Sequence, residues 1–272
     1  MKEIRPAAVA GAFYPGETGV LRHDVQAMLA TAQAHAPAAS TPPKALIVPH
    51  AGYIYSGPVA ASAYAQLIPA RARIKRVVLL GPVHRVPVRG LALPGSVDFF
   101  ETPLGNVPLD RQAMDSIASL PQVVESLAAH AWEHSLEVQL PFLQQVLDDF
   151  SLVPLAVGDA TPQEVAQVLE KLWGSEETVI VISSDLSHYL PYEAAKRVDH
   201  ATAQAILELD APVSHEQACG GTPVNGLLVA ARHHHLKPQL LDLRNSGDTA
   251  GDRSRVVGYG AFAFFESPGH AH

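Results

Sequence analysis

Five side chains in this sequence can bind a metal ion or move a proton: His50, His84, Asp185, His188 and Cys219. Neutral imidazole is the commonest metal ligand that proteins use. Cys219 is the single cysteine of the chain, and a thiolate binds soft metal ions well. We expect the five residues to gather in one pocket that fits a single metal ion.

Three hydrophobic runs determine where these side chains lie. Each run predicts a buried strand, and candidate residues follow within two to six positions of its end: His50 after residues 44–48, His84 after residues 76–80, and Asp185 with His188 after residues 178–182. In open α/β sheets, ligands collect just beyond the carboxyl ends of the strands. The runs therefore predict that residues far apart in sequence converge at one edge of the sheet.

Two histidines need a third donor, and both Cys219 and Asp185 are candidates. Cys219 precedes a predicted helix, whose amino-terminal dipole would favour thiolate over thiol. The neighbouring Gly220 and Gly221 allow close approach of the backbone. The alternative for Cys219 is the role of a small buried hydrophobic side chain. His188 is a candidate general acid or base rather than a ligand.

Residues 133–137, Glu-His-Ser-Leu-Glu, form a second polar cluster. We expect them to open a helix over residues 135–149. The cluster would either orient the metal ligands or, with acidic residues in a first helical turn, complement the helix dipole. With one histidine, it does not match the HExxH motif of metalloproteases.

The remaining pattern alternates strands with helices and predicts an α/β fold with a central, mostly parallel or mixed sheet flanked by helices. Further helices are expected at residues 59–67, 110–120, 162–173, 192–209 and 222–232, and further strands at residues 152–157, 240–244 and 256–265. A hairpin that includes residues 96–101 is expected within residues 87–108. Thr222 and Pro223 would supply the cap and first turn of the helix after Cys219.

Length and composition favour one globular domain. No Pro/Gly/Ser-rich linker divides the 272 residues, so we expect a single domain over residues 1–266 and a disordered tail over residues 267–272. Residues 34–43 would be a connector. A hydrophobic content of 47% with 17% charged residues excludes a disordered chain.

Charge and cysteine content exclude several classes of partner and compartment. The net charge of -8 argues against a nucleic-acid surface. The sequence contains neither an apolar run long enough for a membrane span nor a secretory signal pattern. A single cysteine forms no internal disulfide, so we expect a cytoplasmic protein. Among its 14 histidines, residues 233–235, His270 and His272 are expected in solvent.

Taken together, six segments of the chain resemble the Memo family, of the AmmeMemoRadiSam system protein B type. They keep their order and spacing from about residue 5 to residue 265 and comprise residues 11–15, 49–57, 80–84, 133–137, 183–188 and 218–223. Members of this family resemble the class III (LigB-like) extradiol dioxygenases in fold. The resemblance implies a pocket at the carboxyl edge of the sheet.

The resemblance also implies a ligand set. Two histidines and a cysteine around iron or copper are matched by His50, His84 and Cys219. A neighbouring aspartate and an acid/base histidine are matched by Asp185 and His188. True dioxygenases have a carboxylate where this chain has a thiolate, and the softer set favours copper(I), zinc or a redox-active iron. Ring cleavage is therefore not transferred to this chain.

The sequence specifies the residues around the substrate less directly than it specifies the metal ligands. The resemblance implies an aromatic side chain at the pocket mouth, which Phe13 matches. Tyr55, Glu133 and His134 are expected to line the same substrate pocket. In prokaryotic members the family implies a radical-SAM protein and an AMMECR-type protein as partners.

Two functions of different classes follow. The first is a non-haem oxidoreductase that depends on iron or copper and acts on an unidentified small molecule or peptide. The second is a module that binds a phosphorylated or anionic peptide or cofactor, since histidines and a helix amino terminus bind phosphate without a metal. A third possible function is that of a hydrolase that uses a metal-bound water. No motif in the sequence indicates a substrate for such an enzyme.

Overall fold

The computed structural model describes residues 2–35, 41–210 and 212–266. The strands of these residues are β1 (Ile4–Arg5), β2 (Ala45–Val48), β3 (Arg76–Pro82), β4 (Leu91–Leu93), β5 (Phe99–Thr102), β6 (Gly105–Pro108), β7 (Val123–Glu125), β8 (Ser151–Val157), β9 (Thr178–Ser183), β10 (His188–Leu190), β11 (Lys237–Asn245) and β12 (Val256–Phe265). The α-helices are α1 (Thr18–His35), α2 (Tyr53–Tyr64), α3 (Arg111–Ile117), α4 (Leu127–Ala131), α5 (Leu140–Val146), α6 (Pro162–Leu172), α7 (Tyr192–Leu207) and α8 (Gly221–His233).

Strands β2, β9, β3 and β8 lie side by side and parallel at the centre of the main sheet. They are continuous hydrophobic runs and are buried almost throughout, as strands covered on both faces must be. The order of the sheet is β10-β12-β2-β9-β3-β8-β4-β7, with β11 paired to β12. Strand β12 is antiparallel to β2, and β4 is antiparallel to β8. The predicted single-domain α/β fold with a mixed sheet flanked by helices is confirmed.

A second, smaller sheet contains β1, β5 and β6. Strands β5 and β6 form the hairpin expected in this part of the chain, although it lies slightly later than residues 96–101. Strand β1 pairs in parallel with β5 and so fixes the amino-terminal segment.

The predicted helix over residues 135–149 is wrong at its start. Residues 133–136 form a loop, Glu137–Gln139 is a single 3-10 turn, and α5 begins only at Leu140. Pro141 explains the late start, because a residue without an N–H group fits in the first turn of a helix and not in its interior.

Helix α2 begins at Tyr53, earlier than the predicted start at residue 59, and includes Pro58. Residues Ala65–Ala70 continue it as a 3-10 helix. Burial of Tyr53 and Val59 in the core outweighs the local preference against an internal proline.

Helix α1 was not predicted, although the sequence carries its signal. Leu21, Val25 and Leu29 recur every four residues and form its buried face. Because α1 continues to His35, the connector predicted over residues 34–43 is wrong at its start, while residues 36–40 and the tail over residues 267–272 lie outside the described residues. None of the described helices has the length and apolar character to span a bilayer.

Candidate functional site

Three neighbouring parallel strands bring the predicted residues to one edge of the sheet. His50 follows β2, His84 follows β3, and Asp185 follows β9, which lies between them. Parallel strands end at the same edge, so their following residues meet there. The ring centroids of His50 and His84 lie 5.2 Å apart, nearly perpendicular to each other.

Cys219 reaches the same edge from the loop before α8. Its Sγ lies 3.3 Å from Nε2 of His50. Gly220 permits this approach, because a Cβ atom there would lie 2.7 Å from Cβ of Ser184. One ligand atom each from His50, His84 and Cys219 lie within 4.8 Å of one another. The three predicted metal ligands therefore converge.

The start of α8 differs from the sequence prediction. The helix begins at Gly221, so Thr222 lies within the first turn and does not cap it, whereas Pro223 is in the first turn as expected. The predicted thiolate is also not favoured by the protein alone. Burial, and then the charge of Asp185, raise the pKa of the Cys219 thiol to about 12. A metal ion that binds this sulfur at neutral pH must displace a proton.

The hydrogen bonds of Ser183 determine which nitrogen of His50 carries the proton. The Ser183 hydroxyl donates to the Ser135 carbonyl oxygen at 2.6 Å and accepts from Nε2 of Gln139 at 2.8 Å. A hydroxyl has one proton, so its contact with Nδ1 of His50 at 2.9 Å must receive the N–H of that ring. Nε2 of His50 is left with a lone pair that faces Cys219. Burial lowers the pKa of His50 well below its usual value, so the ring is neutral.

Glu133 orients His84 in the same way. Its Oε1 lies 2.9 Å from Nδ1 of His84, and its Oε2 accepts the backbone N–H of His84 at 2.6 Å. Burial alone would raise the pKa of Glu133, but the hydrogen bonds from His84 and from the Ser135 backbone lower it to about 2. An ionised carboxylate holds the proton of His84 on Nδ1 and leaves Nε2 free for a ligand bond.

Asp185 lies against the ligand cluster. Its Oδ1 accepts the backbone N–H of His50 at 2.7 Å, and its Oδ2 lies 4.0 Å from Nε2 of His50. Burial raises the pKa of Asp185 to about 7, even though backbone N–H groups of His50 and Ala51 oppose the shift. The carboxyl group is thus balanced between its two forms near neutral pH.

His188 opens β10 and is partly buried. Burial lowers its pKa, against a hydrogen bond with the Leu186 backbone that raises it. Among the described residues, His188 is not part of a group of converging ligand atoms.

His134 packs between the two histidine ligands and Phe13. Its ring centroid lies 5.4 Å from that of His50, 4.7 Å from that of His84 and 4.6 Å from that of Phe13. Burial lowers the pKa of His134 to about 4. A neutral ring in this position forms a wall of the site.

Two cavities lie at the site and beside it. The first has a volume of about 570 Å³, and its lining includes His84, Arg85, His215, Cys219 and Thr222. The second has a volume of about 550 Å³, and its lining includes Phe13, Tyr14, Met28 and Tyr55. Phe13 and Tyr55 thus line a different cavity from the one that contains His84 and Cys219.

The second glutamate of the polar cluster has a different task. Glu137 is fully buried and accepts hydrogen bonds from Arg5 at 2.6 Å and from the Tyr14 hydroxyl at 2.6 Å. It also accepts the backbone N–H groups of Ala8 and Val9. Glu137 therefore holds the amino-terminal segment in place and does not contact the ligands.

Sequence reasoning missed the contributions of Ser183 and Gln139. The available signal for Ser183 was its position directly after the predicted run over residues 178–182, where it is the last residue of β9. Ser183 pairs with Val48 in the parallel register of β2 and β9, which places it beside His50. Arg85 and His215, on the wall of the first cavity, were also missed; the sequence carries no periodic signal for either.

Comparison with known proteins agrees with the predicted resemblance. The family model described as Memo-like protein matches residues 5–263. A MEMO1 family protein of Aquifex aeolicus is 38% identical, covering 94% of this chain and 97% of its own length. One of Metallosphaera sedula is 35% identical, covering 96% of this chain and 99% of its own length. The crystal structure of uncharacterized protein JW3007 from Escherichia coli K12 has a TM-score of 0.49 at 14% identity, covering 79% of this chain and 98% of that one. By its family match and its full-length relatives, the chain belongs to the Memo-like protein family.

Proposed function

We propose that this protein binds one iron or copper ion through His50, His84 and Cys219 and is an oxidoreductase that acts on a molecule bound in the adjacent cavity. The observation that carries the proposal is the convergence of these ligand atoms within 4.8 Å. The donor set fits such an ion: two neutral imidazole nitrogens and one sulfur suit copper and iron, and zinc is also compatible. Three protein ligands leave a coordination position for substrate.

The side chains around the ligands prepare them for binding. Ser183 and Glu133 hold the ring protons of His50 and His84 on Nδ1, so both Nε2 atoms can accept a metal bond without a change of tautomer. When bound, the ion would supply one-electron chemistry that the protein side chains lack. Asp185 orients the backbone of His50 at the same time.

In this proposal, Asp185 and His188 transfer protons. The pKa of Asp185 is raised to about 7, so this carboxyl group can both accept and return a proton near neutral pH. Burial lowers the pKa of His188, so its ring is neutral near pH 7 and has one nitrogen with a free lone pair for a proton from a substrate. Both residues follow β9 closely, and His188 lies near enough to His50 and His84 for their charges to interact.

The first cavity indicates the kind of substrate. Its lining places Arg85 and His215 near His84 and Cys219. A guanidinium group and an imidazole recognise carboxylate or phosphate. We therefore propose a small substrate with an anionic group.

The same observation favours a second candidate function. A module that binds an anionic or phosphorylated ligand would use Arg85 and His215 and would not need the ion. Binding of phosphotyrosine that persists in excess chelator and in Cys219→Ser would support this function. Loss of binding on chelation would count against it.

Metal loading under anaerobic conditions tests the leading proposal. We expect the protein to take up one equivalent of Fe(II) or Cu(I), and electron paramagnetic resonance to detect a reversible change on exposure to dioxygen and then to a reductant. The variants His50→Ala and Cys219→Ser should lose the bound ion, and the exposed-histidine control His23→Ala should retain it. Uptake of zinc alone, or equal uptake by all four proteins, would contradict the proposal.

A further inference from the structure

A second group of metal-binding side chains lies at the opposite end of α8 from Cys219. Glu170 belongs to α6, His233 is the last residue of α8, and His234 follows it. One ligand atom of each lies within 4.8 Å of the others. A helix of 13 residues is about 20 Å long, so this group, which we call the surface cluster, is separate from the site described above.

Both histidines form hydrogen bonds with the same carboxylate, that of Glu170. Nδ1 of His233 lies 2.9 Å from Oε1 of Glu170, and Nε2 of His234 lies 2.8 Å from Oε2. Burial would raise the pKa of Glu170, but the hydrogen bonds from the two histidines lower it. The cluster thus brings an ionised carboxylate and two imidazole nitrogens to one point.

The ring of His234 is held in place by Trp173. The two rings are stacked with centroids 3.7 Å apart and planes 8° apart. Trp173 is itself buried, and the ammonium group of Lys44 lies 5.5 Å from its ring centroid. One of the two imidazoles is therefore pre-oriented, which reduces the entropy lost when a ligand binds.

The ends of two helices meet at the cluster. Gly226 of α8 contacts Val165 of α6 so closely that a Cβ atom on the glycine would lie 2.2 Å from Cγ1 of the valine. Since His233 contacts Glu170 further along both helices, α6 and α8 run side by side in the same direction. Their carboxyl-terminal ends, which carry partial negative charge, both lie beside the cluster and favour a cation there.

We propose that Glu170, His233 and His234 form a second metal site, which binds one divalent transition-metal cation such as Zn²⁺ or Cu²⁺. Two histidines and one glutamate are an established ligand set for zinc, with water in the remaining position. Without a metal, Nδ1 of His233 and Nε2 of His234 each donate a hydrogen bond to Glu170. When the proton moves to the other nitrogen of the same ring, each of these atoms gains a lone pair for the metal, and the charge of the ring does not change. His233 is 73% exposed, so it can move by the few tenths of an ångström that metal bonds of about 2.1 Å require.

Zinc titration of the full-length protein, with metal counting after equilibrium dialysis, tests this site. The background is His270→Ala/His272→Ala, because tail imidazoles would also bind zinc. In this background we expect Glu170→Gln and His233→Ala each to lose one bound equivalent. The exposed-histidine control His200→Ala should lose none.

Cobalt(II) gives a second readout that separates the two sites. A thiolate ligand produces a charge-transfer band, and a site of nitrogen and oxygen ligands does not. In Cys219→Ser we expect one equivalent of cobalt without that band, and its loss when Glu170→Gln is added. Unchanged metal content in both cluster variants, or an equal loss in His200→Ala, would overturn the second site and would leave the proposed function of the first untouched.

Discussion

The site at the edge of the sheet and the surface cluster use similar residues, but the protein holds them in different ways. His50 is 2% exposed and takes its position from Ser183, whereas His233 is 73% exposed and contacts a single carboxylate. The three ligands at the sheet edge come from segments far apart in sequence, while those of the surface cluster include two consecutive residues. At the sheet edge, hydrogen bonds to Ser183 and Glu133 already set the tautomers of His50 and His84, whereas the two histidines of the surface cluster must change tautomer to bind a metal.

This difference indicates what fixed hydrogen-bond partners add to a metal site. Imidazoles whose ring protons are held by Ser183 and Glu133 present their lone pairs before the ion arrives, so little reorganisation accompanies binding. At the surface cluster the ring of His234 is held by Trp173, but the exposed ring of His233 keeps rotational freedom and is solvated, which costs affinity. We therefore expect the site at the sheet edge to bind its ion more tightly than the surface cluster does, and the loss of one of its ligands to cause the larger loss of affinity.

The largest effect is expected from loss of a buried ligand. His50→Ala or Cys219→Ser should weaken iron or copper binding by more than the roughly 100-fold typical of losing only an orienting partner. Competition with a chromogenic chelator under anaerobic conditions measures this loss. The same variants should leave the surface cluster unchanged, and a parallel loss of both ions would show that the two sites are not independent.

The next effect concerns Glu133, which orients His84. Glu133→Gln should reduce metal affinity by about 10- to 100-fold, because an amide nitrogen would face an N–H group of His84 and the ionised acceptor is lost. The exposed carboxylate in Glu193→Gln is the control and should have no effect. An affinity equal to that of the unchanged protein would mean that Glu133 does not hold the ring.

The pH dependence should also separate the two regions. The Cys219 thiol has a pKa of about 12 without a metal, so a proton competes with the ion throughout the range from pH 7.5 to 9. Affinity at the buried site should rise by about tenfold per pH unit as one proton is displaced. Titrations at several pH values measure the slope. The surface cluster, which has no thiol, should not show this slope, and a slope near zero at the sheet edge would mean that Cys219 is not a ligand.

The smallest effects are those on folding stability. Ser183→Ala removes the partner of three buried polar groups and should lower the free energy of unfolding by about 1–3 kcal/mol. Glu170→Gln breaks only partly exposed contacts and should change it by less than about 1 kcal/mol. Urea unfolding of the metal-free proteins compares the two. A larger effect at Glu170 would reverse the expected order of the two regions.

The sequence specified much of the buried site, because strand ends are visible as hydrophobic runs. His50, His84 and Asp185 each follow such a run, and the structure places the three runs in adjacent parallel strands. Cys219 was identified by residue type and by its flanking glycines, and its sulfur lies against His50. The family resemblance supplied the choice of Cys219 over Asp185 as the third ligand.

Other predictions failed where tertiary contacts outweighed local preference. A helix was predicted to begin at residue 135, but residues 133–136 form a loop. Hydrogen bonds between Glu133 and His84 hold this loop in place. The solvent exposure expected for residues 233–235 holds for His233 but not for His234, which stacks on Trp173. The partner of each residue is remote in sequence, so no local pattern reveals it.

By itself, the sequence determined the fold class, the positions along the chain of the hydrophobic runs that form the central strands, and the residue types that can bind a metal. Those properties follow from local patterns of hydrophobicity and from chemistry that each side chain carries alone. Only the tertiary structure decided which nitrogen of His50 is free, that burial keeps Cys219 protonated, and that Glu170 meets His233. Proton positions and pKa values depend on distances between groups that the chain brings together only when it folds.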